Sequence, residues 1–467
     1  MSYDPPMSND EFRAAGHAMI DWIADYWESV EDMPVLSQVE PGEIRASLPP
    51  SPPTEPEDWA TIMADVDELI VPGVTHWQSP NFFAYFPANA SPASVLGELL
   101  SAGLGVQGML WATSPACTEL ETHMLDWMLD LCELPDRFRS SGPGGGVIQD
   151  SASSSVLVAI LAARQRVAGQ LRMGELVAYT SEHAHSSMLK GCKIAGFTED
   201  QVRVIPTDET FAMDPQALRH AMTEDLIEDR RPFFVQATAG TTSSTAFDPV
   251  VAIADVCKDF GAWLHVDGAF AGAAAVAPEF RFVNEGLSRV DSYCFDPHKW
   301  LLTNFDCSLF YIADRGPMID ALSVVPEYLR NAATDAGEVI DYRDWQISLG
   351  RRFRALKLWF VIRTHGASGL ASFVRQHVEM AKDLDAALAA HPRYEIVAPT
   401  TLSLVTFRHV DGDEKNEHIR DSINGSGDAY ITHTRLDGQV ALRVAIGAVR
   451  TERRHVDELL ERLAALA

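Results

Sequence analysis

The chain is 467 residues long, with 46% hydrophobic residues, 22% charged residues and a formal net charge of −29. That length predicts a large domain with one or two smaller ones, and the composition is that of a globular protein. So large a negative charge argues against nucleic acid or an anionic membrane as a partner, and no apolar run reaches the roughly 18 residues that a bilayer span needs.

The first residues, Met1 to Pro6, are acidic and lack an apolar stretch, so no signal peptide is expected. Ser8 and Glu11 form a capping-box pattern. It opens an amphipathic helix with Phe12, Met19, Ile23, Tyr26 and Val30 at helical spacing. Trp22 and Trp27 widen its apolar surface, which needs cover from its own domain or from a second subunit. A proline-rich linker, Leu48 to Pro56, precedes a helix at about 57–70. The run from His76 to Pro87 is dense in aromatics, and its prolines break any regular period. It suits either core packing or a loop that presents rings to a cavity. Helices are predicted over 97–111 and 114–131, and the glycine-rich stretch 140–146 reads as a flexible approach to residues 147–153.

From residue 147 the pattern is α/β. A helix over about 152–168 precedes strand-like segments at 176–180, 202–206, 233–237, 263–266, 290–295 and 308–312. Amphipathic helices lie between several of them, as parallel-sheet connections require. The segment 323–345 has weak periodicity and predicts a long loop, which in a compact domain tends to be functional. Helices near 351–364 and 368–390, strands at 394–397 and 402–407, a hairpin turning at Asp437 and Gly438, and a helix from Thr451 predict a small α+β domain. The six cysteines (Cys117, Cys132, Cys192, Cys257, Cys294 and Cys307) show no CxxC pairing and read as reduced thiols of a cytoplasmic protein.

Chemistry concentrates at the strand ends. Of seven lysines (Lys190, Lys193, Lys258, Lys299, Lys357, Lys382 and Lys415), Lys299 alone ends a buried-looking strand. An amine there suits capture of an aldehyde cofactor, if burial lowers its pKa and frees the base. The plain alternative is a snorkelling lysine on a loop. Ser151, Ala152 and Ser153 enter a helix from the glycine-rich stretch, a place for a phosphate or for ordinary serine capping. Asp150 beside them would repel a phosphate unless it points elsewhere. His185 follows the 176–180 strand as a ring stacker or a polar loop residue. Asp267 follows the 263–266 strand, where a buried carboxylate needs a partner such as a protonated pyridine nitrogen. Thr241 to Thr245 add hydroxyls after the 233–237 strand. Open α/β sheets bind ligands at such strand ends, and the set taken together describes pyridoxal 5′-phosphate (PLP). A metal-dependent hydrolase could draw on His183, His185, His265, Asp267 and His298, but that reading leaves Lys299 idle.

The chain resembles the PLP-dependent group II decarboxylases, specifically the bacterial-type aromatic L-amino-acid decarboxylases. The resemblance spans nearly the whole chain: Val39-Glu-Pro-Gly42, Pro72-Gly-Val-Thr-His-Trp77, Phe82-Phe-Ala-Tyr-Phe-Pro87, Thr113-Ser-Pro-Ala-Cys-Thr-Glu-Leu-Glu121, Ala184-His-Ser-Ser187, His265-Val-Asp267, Pro297-His-Lys-Trp300, Asn304-Phe-Asp-Cys307 and Leu349-Gly-Arg-Arg-Phe353. It implies a fold-type I, aspartate-aminotransferase-like α/β domain with a mostly parallel sheet over 87–362. A helical dimerisation segment over 1–86 and a small C-terminal α+β domain over 363–467 would flank it. It also implies a homodimer with its active sites at the subunit interface, and no metal. By matching position, Lys299 would anchor PLP, Asp267 would pair the pyridine nitrogen, and His185 would stack on the ring with Ala269 beneath. Ser151, Ala152, Ser153, Asp296 and His298 would hold the phosphate side, and Thr242 would also touch the cofactor. Trp77, Tyr85, Phe86, Pro87, Met109 and Gly350 would shape the substrate pocket, and Tyr328 would protonate the α-carbon after CO₂ leaves.

The implied reaction is decarboxylation of an aromatic L-amino acid (DOPA, 5-hydroxytryptophan, tryptophan, tyrosine or phenylalanine) to the arylalkylamine. The rival within the family is aldehyde synthesis, in which oxygen intercepts the reaction; members doing so commonly replace the loop tyrosine or the stacking histidine, and Tyr328 and His185 are both present. Against the animal enzymes, Ala88 stands for a threonine near the substrate carboxylate, a contact that would pass to Asn89 or water. Asp150 stands for a glycine, Asp296 for an asparagine, and Met109 for a phenylalanine contributed across the dimer.

Overall fold

The computed structural model describes residues 7–324 and 339–467. Tyr328 lies outside the described residues. The first helix, Asn9–Ser29, starts as its sequence predicts: Ser8 Oγ accepts from the Glu11 N–H at 3.3 Å, and Glu11 Oε2 accepts from the Ser8 N–H at 2.7 Å. None of its residues is fully buried, and Phe12 is 63% exposed. Trp22 donates to Asp67 at 2.8 Å and Tyr26 meets His76 Nδ1 at 2.8 Å, which ties the helix to the segment before the aromatic run and to the first residue of the run.

The main sheet has seven strands: β1 (Gly145–Gln149), β2 (Leu176–Ser181), β3 (Val202–Ile205), β4 (Arg231–Thr238), β5 (Trp263–Asp267), β6 (Ser292–Phe295) and β7 (Ser308–Ile312). Their order is β1-β7-β6-β5-β4-β2-β3, and only β7 runs against its neighbours. β4, β5 and β6 are buried almost throughout, as parallel strands covered on both faces must be. Parallel crossovers bring the carboxyl ends of β2, β4, β5 and β6 to one edge of the sheet. All six cysteines are buried and unpaired.

The glycine-rich stretch is not the flexible approach its composition predicts. Gly145 and Gly146 belong to β1, where a Cβ on Gly145 would stand 2.8 Å from the Trp345 ring. The end of the expected long loop is likewise packed: Tyr342 and Trp345 are 1% and 2% exposed. The helix expected over 97–111 runs instead over Pro92–Leu104, started by the Ser91 cap and stopped by Gly105 at φ +61°.

The last part forms an antiparallel sheet, with β8 (Tyr394–Ile396), β9 (Leu404–His409), β10 (Thr432–Leu436) and β11 (Gln439–Ala445) in the order β10-β11-β9-β8. Asp437 and Gly438, both at positive φ, make the expected two-residue turn. The two helices expected near 351–390 are both present within Arg354–Ala390, separated by a kink where Gly366 takes non-helical φ +62° and ψ 171°. A further helix, Asp413–Ser426, lies between β9 and β10, where the sequence reading names no element. Phe83 joins the core of this small sheet, and backbone bonds from Phe83 to Tyr430 and from Ala445 to Phe83, both 2.9 Å, splice the aromatic run onto it.

Candidate active site

Backbone bonds knit the strand ends together. The Ala239 N–H donates to Asp267 O at 2.8 Å, Gly268 to Cys294 O at 2.9 Å, and Asp296 to Ala269 O at 2.9 Å. Pro297 then starts a single helical turn, Pro297–Trp300, which aims Lys299 back over the sheet edge. The result is a cavity of about 190 Å³ that gathers Ser151, Ala152, Ser153, His185, Thr242, Asp267, Ala269, Asp296, His298 and Lys299 from segments far apart in sequence. Phe86 also lines it, stacked on Phe270 at 3.9 Å, which stacks in turn on Trp300 at 4.6 Å.

Lys299 Nζ lies 3.1 Å from Asp296 Oδ2, and His298 Nε2 is 3.5 Å from the same oxygen. Burial pushes the Lys299 amine down, but Asp296 and then Asp267 outweigh it, so its pKa is raised. This corrects the sequence expectation of a lowered value, which counted burial and not the two carboxylates. Burial pushes Asp267 up, against the pull of Lys299 and the Ala269 N–H, which donates to Oδ1 at 3.0 Å. His298 is held below its usual value chiefly by burial, and its Nδ1 accepts from the Cys307 N–H at 3.0 Å.

The helix Ala152–Arg166 opens on this cavity, so its first N–H groups and its dipole favour an anion. Ser151 is its cap: Oγ accepts from the Ser154 N–H at 3.4 Å and donates to Asp150 Oδ1 at 3.1 Å. Capping and lining the cavity are therefore both true of Ser151. Asp150 is exposed and does not line the cavity, so solvent screens the repulsion its position suggests. His185 is exposed apart from that lining, and its Nδ1 accepts from the Ser187 N–H at 3.1 Å.

Other expected positions lie elsewhere. Tyr85 borders a neighbouring cavity of about 440 Å³ that shares Thr242 with the first and is also lined by Tyr430 and Arg443. Trp77 stacks on Tyr85 at 5.7 Å, and Pro87 is buried. Met109 and Gly350 do not reach the cavity; they sit on adjoining segments, where the Gly108 N–H donates to Arg351 O at 3.2 Å. Asn89 cannot take a substrate carboxylate, because its amide donates to Lys299 O at 2.5 Å and to Gly447 O at 3.1 Å. Among the described residues no three His, Cys, Asp or Glu side chains group as metal ligands.

The sequence reading passes over Thr238, Gly240, Phe270 and Phe305, which also line the cavity. Phe270, three residues after Asp267, and the small-residue run after β4 were the available signals. Thr238 Oγ1 and Asp296 Oδ1 are buried there with no hydrogen-bond partner among the described residues. An amine, a buried carboxylate that needs a partner, a helix N-terminus and orphaned oxygens on one cavity form a donor set that fits PLP. The amine suits the aldehyde, the carboxylate the pyridine nitrogen, and the helix start the phosphate.

The family model for the pyridoxal-dependent decarboxylase conserved domain matches residues 41–410. The chain is 48% identical to phenylacetaldehyde synthase of Arabidopsis thaliana, over 97% of this chain and 95% of that one. It is 46% identical to tryptophan decarboxylase 2 of Oryza sativa subsp. japonica, over 97% and 93%. It superimposes on a crystal structure of Oryza sativa TDC with PLP and tryptamine at a TM-score of 0.97 and 40% identity, covering 100% of this chain and 99% of that one.

Proposed function

Because the chain belongs to the pyridoxal-dependent decarboxylase family, we propose that it converts an aromatic L-amino acid into the arylalkylamine and CO₂. The observation that carries this is the convergence of Lys299, Asp267 and the start of the helix Ala152–Arg166 on one cavity walled by the Phe86–Phe270 stack. When bound, PLP supplies an electron sink for the pair left by C–C cleavage.

Each residue has a distinct part. Lys299 would hold the cofactor at its aldehyde end. Asp267 would pair with the ring nitrogen and keep it protonated, and His185 and Ala269 would hold the ring. Ser151, Ala152, Ser153, Thr242 and His298 surround the phosphate end, while Asp296 sets the charge on Lys299. Phe86 offers the substrate ring an aromatic wall. Tyr328, outside the described residues, donates the proton to the α-carbon.

We further propose a cytoplasmic homodimer. Leu96, Leu99, Leu100 and Leu104 lie at helical spacing on the helix Pro92–Leu104, each 44–53% exposed. Such a stripe favours cover by a second copy, which would bring Met109 and Gly350 of one subunit toward the site of the other.

The test is product analysis with DOPA, 5-hydroxytryptophan, tryptophan, tyrosine and phenylalanine. Equal amounts of amine and CO₂ from at least one of them, lost in Lys299→Ala, are expected. The similarity to a phenylacetaldehyde synthase favours a second reading, aldehyde synthesis. Peroxide and ammonia released with aldehyde from the unmodified protein would establish that reading instead, and Tyr328→Phe is expected to move product in the same direction.

A further inference from the structure

Behind Asp267 stands a row of polar side chains that the proposed reaction leaves unused. β5 and β6 pair in parallel with His265 opposite Ser292 and Asp267 opposite Cys294. Alternate residues of a strand share a face, so Trp263, His265 and Asp267 form one file and Ser292 and Cys294 the next. The contacts obey this register. Trp263 Nε1 is 2.9 Å from Ser292 Oγ, and Ser292 Oγ is 2.9 Å from His265 Nδ1. His265 Nε2 is 3.7 Å from Cys294 Sγ, and Cys294 Sγ is 3.9 Å from Asp267 Oδ1.

Counting protons gives this row a direction. An indole N–H can only donate, so Ser292 Oγ accepts from Trp263. The single proton of Ser292 is satisfied by donation to His265 Nδ1, its other partner; the reverse direction would leave this buried hydroxyl without an acceptor among the described residues. His265 is fully buried and its pKa is pushed down to about 3, so the ring is neutral with one N–H. With Nδ1 accepting, that N–H is on Nε2 and points to Cys294. Burial pushes the Cys294 thiol well above its ordinary range, so it keeps its proton. Having accepted from His265, the thiol has Asp267 as its remaining partner.

We propose that Cys294 is a positioning residue for the reaction, the last donor in a one-way chain from Trp263 through Ser292, His265 and Cys294 to the Asp267 carboxylate. This rests on the PLP decarboxylase reading of the site. Oδ1 of Asp267 takes the thiol and the Ala269 N–H together, which would leave Oδ2 for the ring nitrogen. A buried carboxylate must be held ionised to keep that nitrogen protonated, and donors on its far oxygen do so. The S–H bond is individually weak, but it is the link through which His265 acts on Asp267.

The test uses the PLP-loaded Cys294→Ala and Cys294→Ser proteins beside the unmodified one. The first readout, taken without substrate, is the nitrogen-15 resonance of ring-labelled PLP, which reports protonation of the pyridine nitrogen. The second is kcat and KM for the preferred amino acid. Cys294→Ala is expected to move the resonance toward the unprotonated value and to lower kcat about five- to tenfold, with KM within about twofold. Cys294→Ser, which keeps a donor, is expected to restore most of both. An unchanged resonance and kcat in Cys294→Ala, or a serine variant as impaired as the alanine one, overturns the proposal. Should Cys294→Ala fail to fold, Ser292→Ala probes the same chain further back and is expected to shift the resonance the same way; no shift there overturns it too. If the unmodified protein decarboxylated no aromatic amino acid, the function reading would fail while the resonance still decided the role of Cys294.

Discussion

Asp296 Oδ2 stands 3.1 Å from Lys299 Nζ, in a turn where the two residues are three apart. Burial alone would favour the free amine, yet this pair and the nearby Asp267 carboxylate hold Lys299 charged. Capture of an aldehyde needs the uncharged amine, so Asp296 sets the pH at which the apoprotein takes up PLP. In Asp296→Asn the stronger of the two raising charges is gone and the Lys299 pKa falls. The pH of half-maximal uptake, followed by the visible absorbance of bound cofactor, is expected to drop. An unchanged profile would mean that Asp267 alone governs the amine.

A second charged pair has no chemistry to do. Arg351 Nη2 is 2.5 Å from Glu121 Oε1, with the side chains 0% and 1% exposed. Glu121 Oε1 also accepts from the Ile148 N–H at 2.8 Å, and the guanidinium lies 4.8 Å over the Tyr342 ring. The pair therefore ties the helix Pro115–Cys132 and β1 to the approach of the long helix. Removing one partner leaves a buried charge uncompensated, and Glu121→Ala is expected to cost about 3–5 kcal/mol in denaturant unfolding. Activity per folded molecule at low denaturant should change little.

The strand ends were legible because buried parallel strands leave continuous apolar runs, and the reactive residues follow those runs directly. What lay hidden depends on register and on distance. Nothing in the local pattern places Asp296 Oδ2 within reach of both Lys299 and His298, or shows that Asn89 spends its amide on Lys299 O. The helix Asp413–Ser426 was missed because only Asn416, Ile419 and Ile423 of its residues are buried, too few to mark a period. Gly145 misled for another reason. Glycine signals freedom when a chain is free to turn, but here it marks close approach.

That close approach can be measured. Gly145 has φ +153°, and a Cβ there would stand 2.8 Å from Cη2 of Trp345, a side chain buried in the main core. Gln149 Nε2 donates to Trp345 O at 2.8 Å, which pins the backbone that carries the ring. Gly145→Ala is expected to destabilise the protein by about 1–3 kcal/mol, seen as a lower denaturant midpoint. Gly174→Ala, where a Cβ meets nothing within 4 Å, is the matched control and should be near neutral.

His377 predicts how stability responds to acid. It is 2% exposed, its Nδ1 accepts from Trp300 Nε1 at 3.0 Å, and burial pushes its pKa down to about 3. In the unfolded chain the same imidazole titrates near 6.5. Above that pH neither state binds a proton and the histidine adds no pH dependence. As pH falls through 6.5 the unfolded state gains a proton that the folded state refuses until about 3, so stability is lost across that window. By pH 5 the loss from this one residue is about 2 kcal/mol. His377→Gln keeps an acceptor for Trp300 but cannot titrate. The variant is expected to lose about 2 kcal/mol less than the unmodified protein between pH 7 and pH 5, read from denaturant unfolding at both. Because the turn that carries Lys299 ends on Trp300, cofactor retention should show the same dependence, with the variant keeping PLP at pH 5 better than the unmodified protein does.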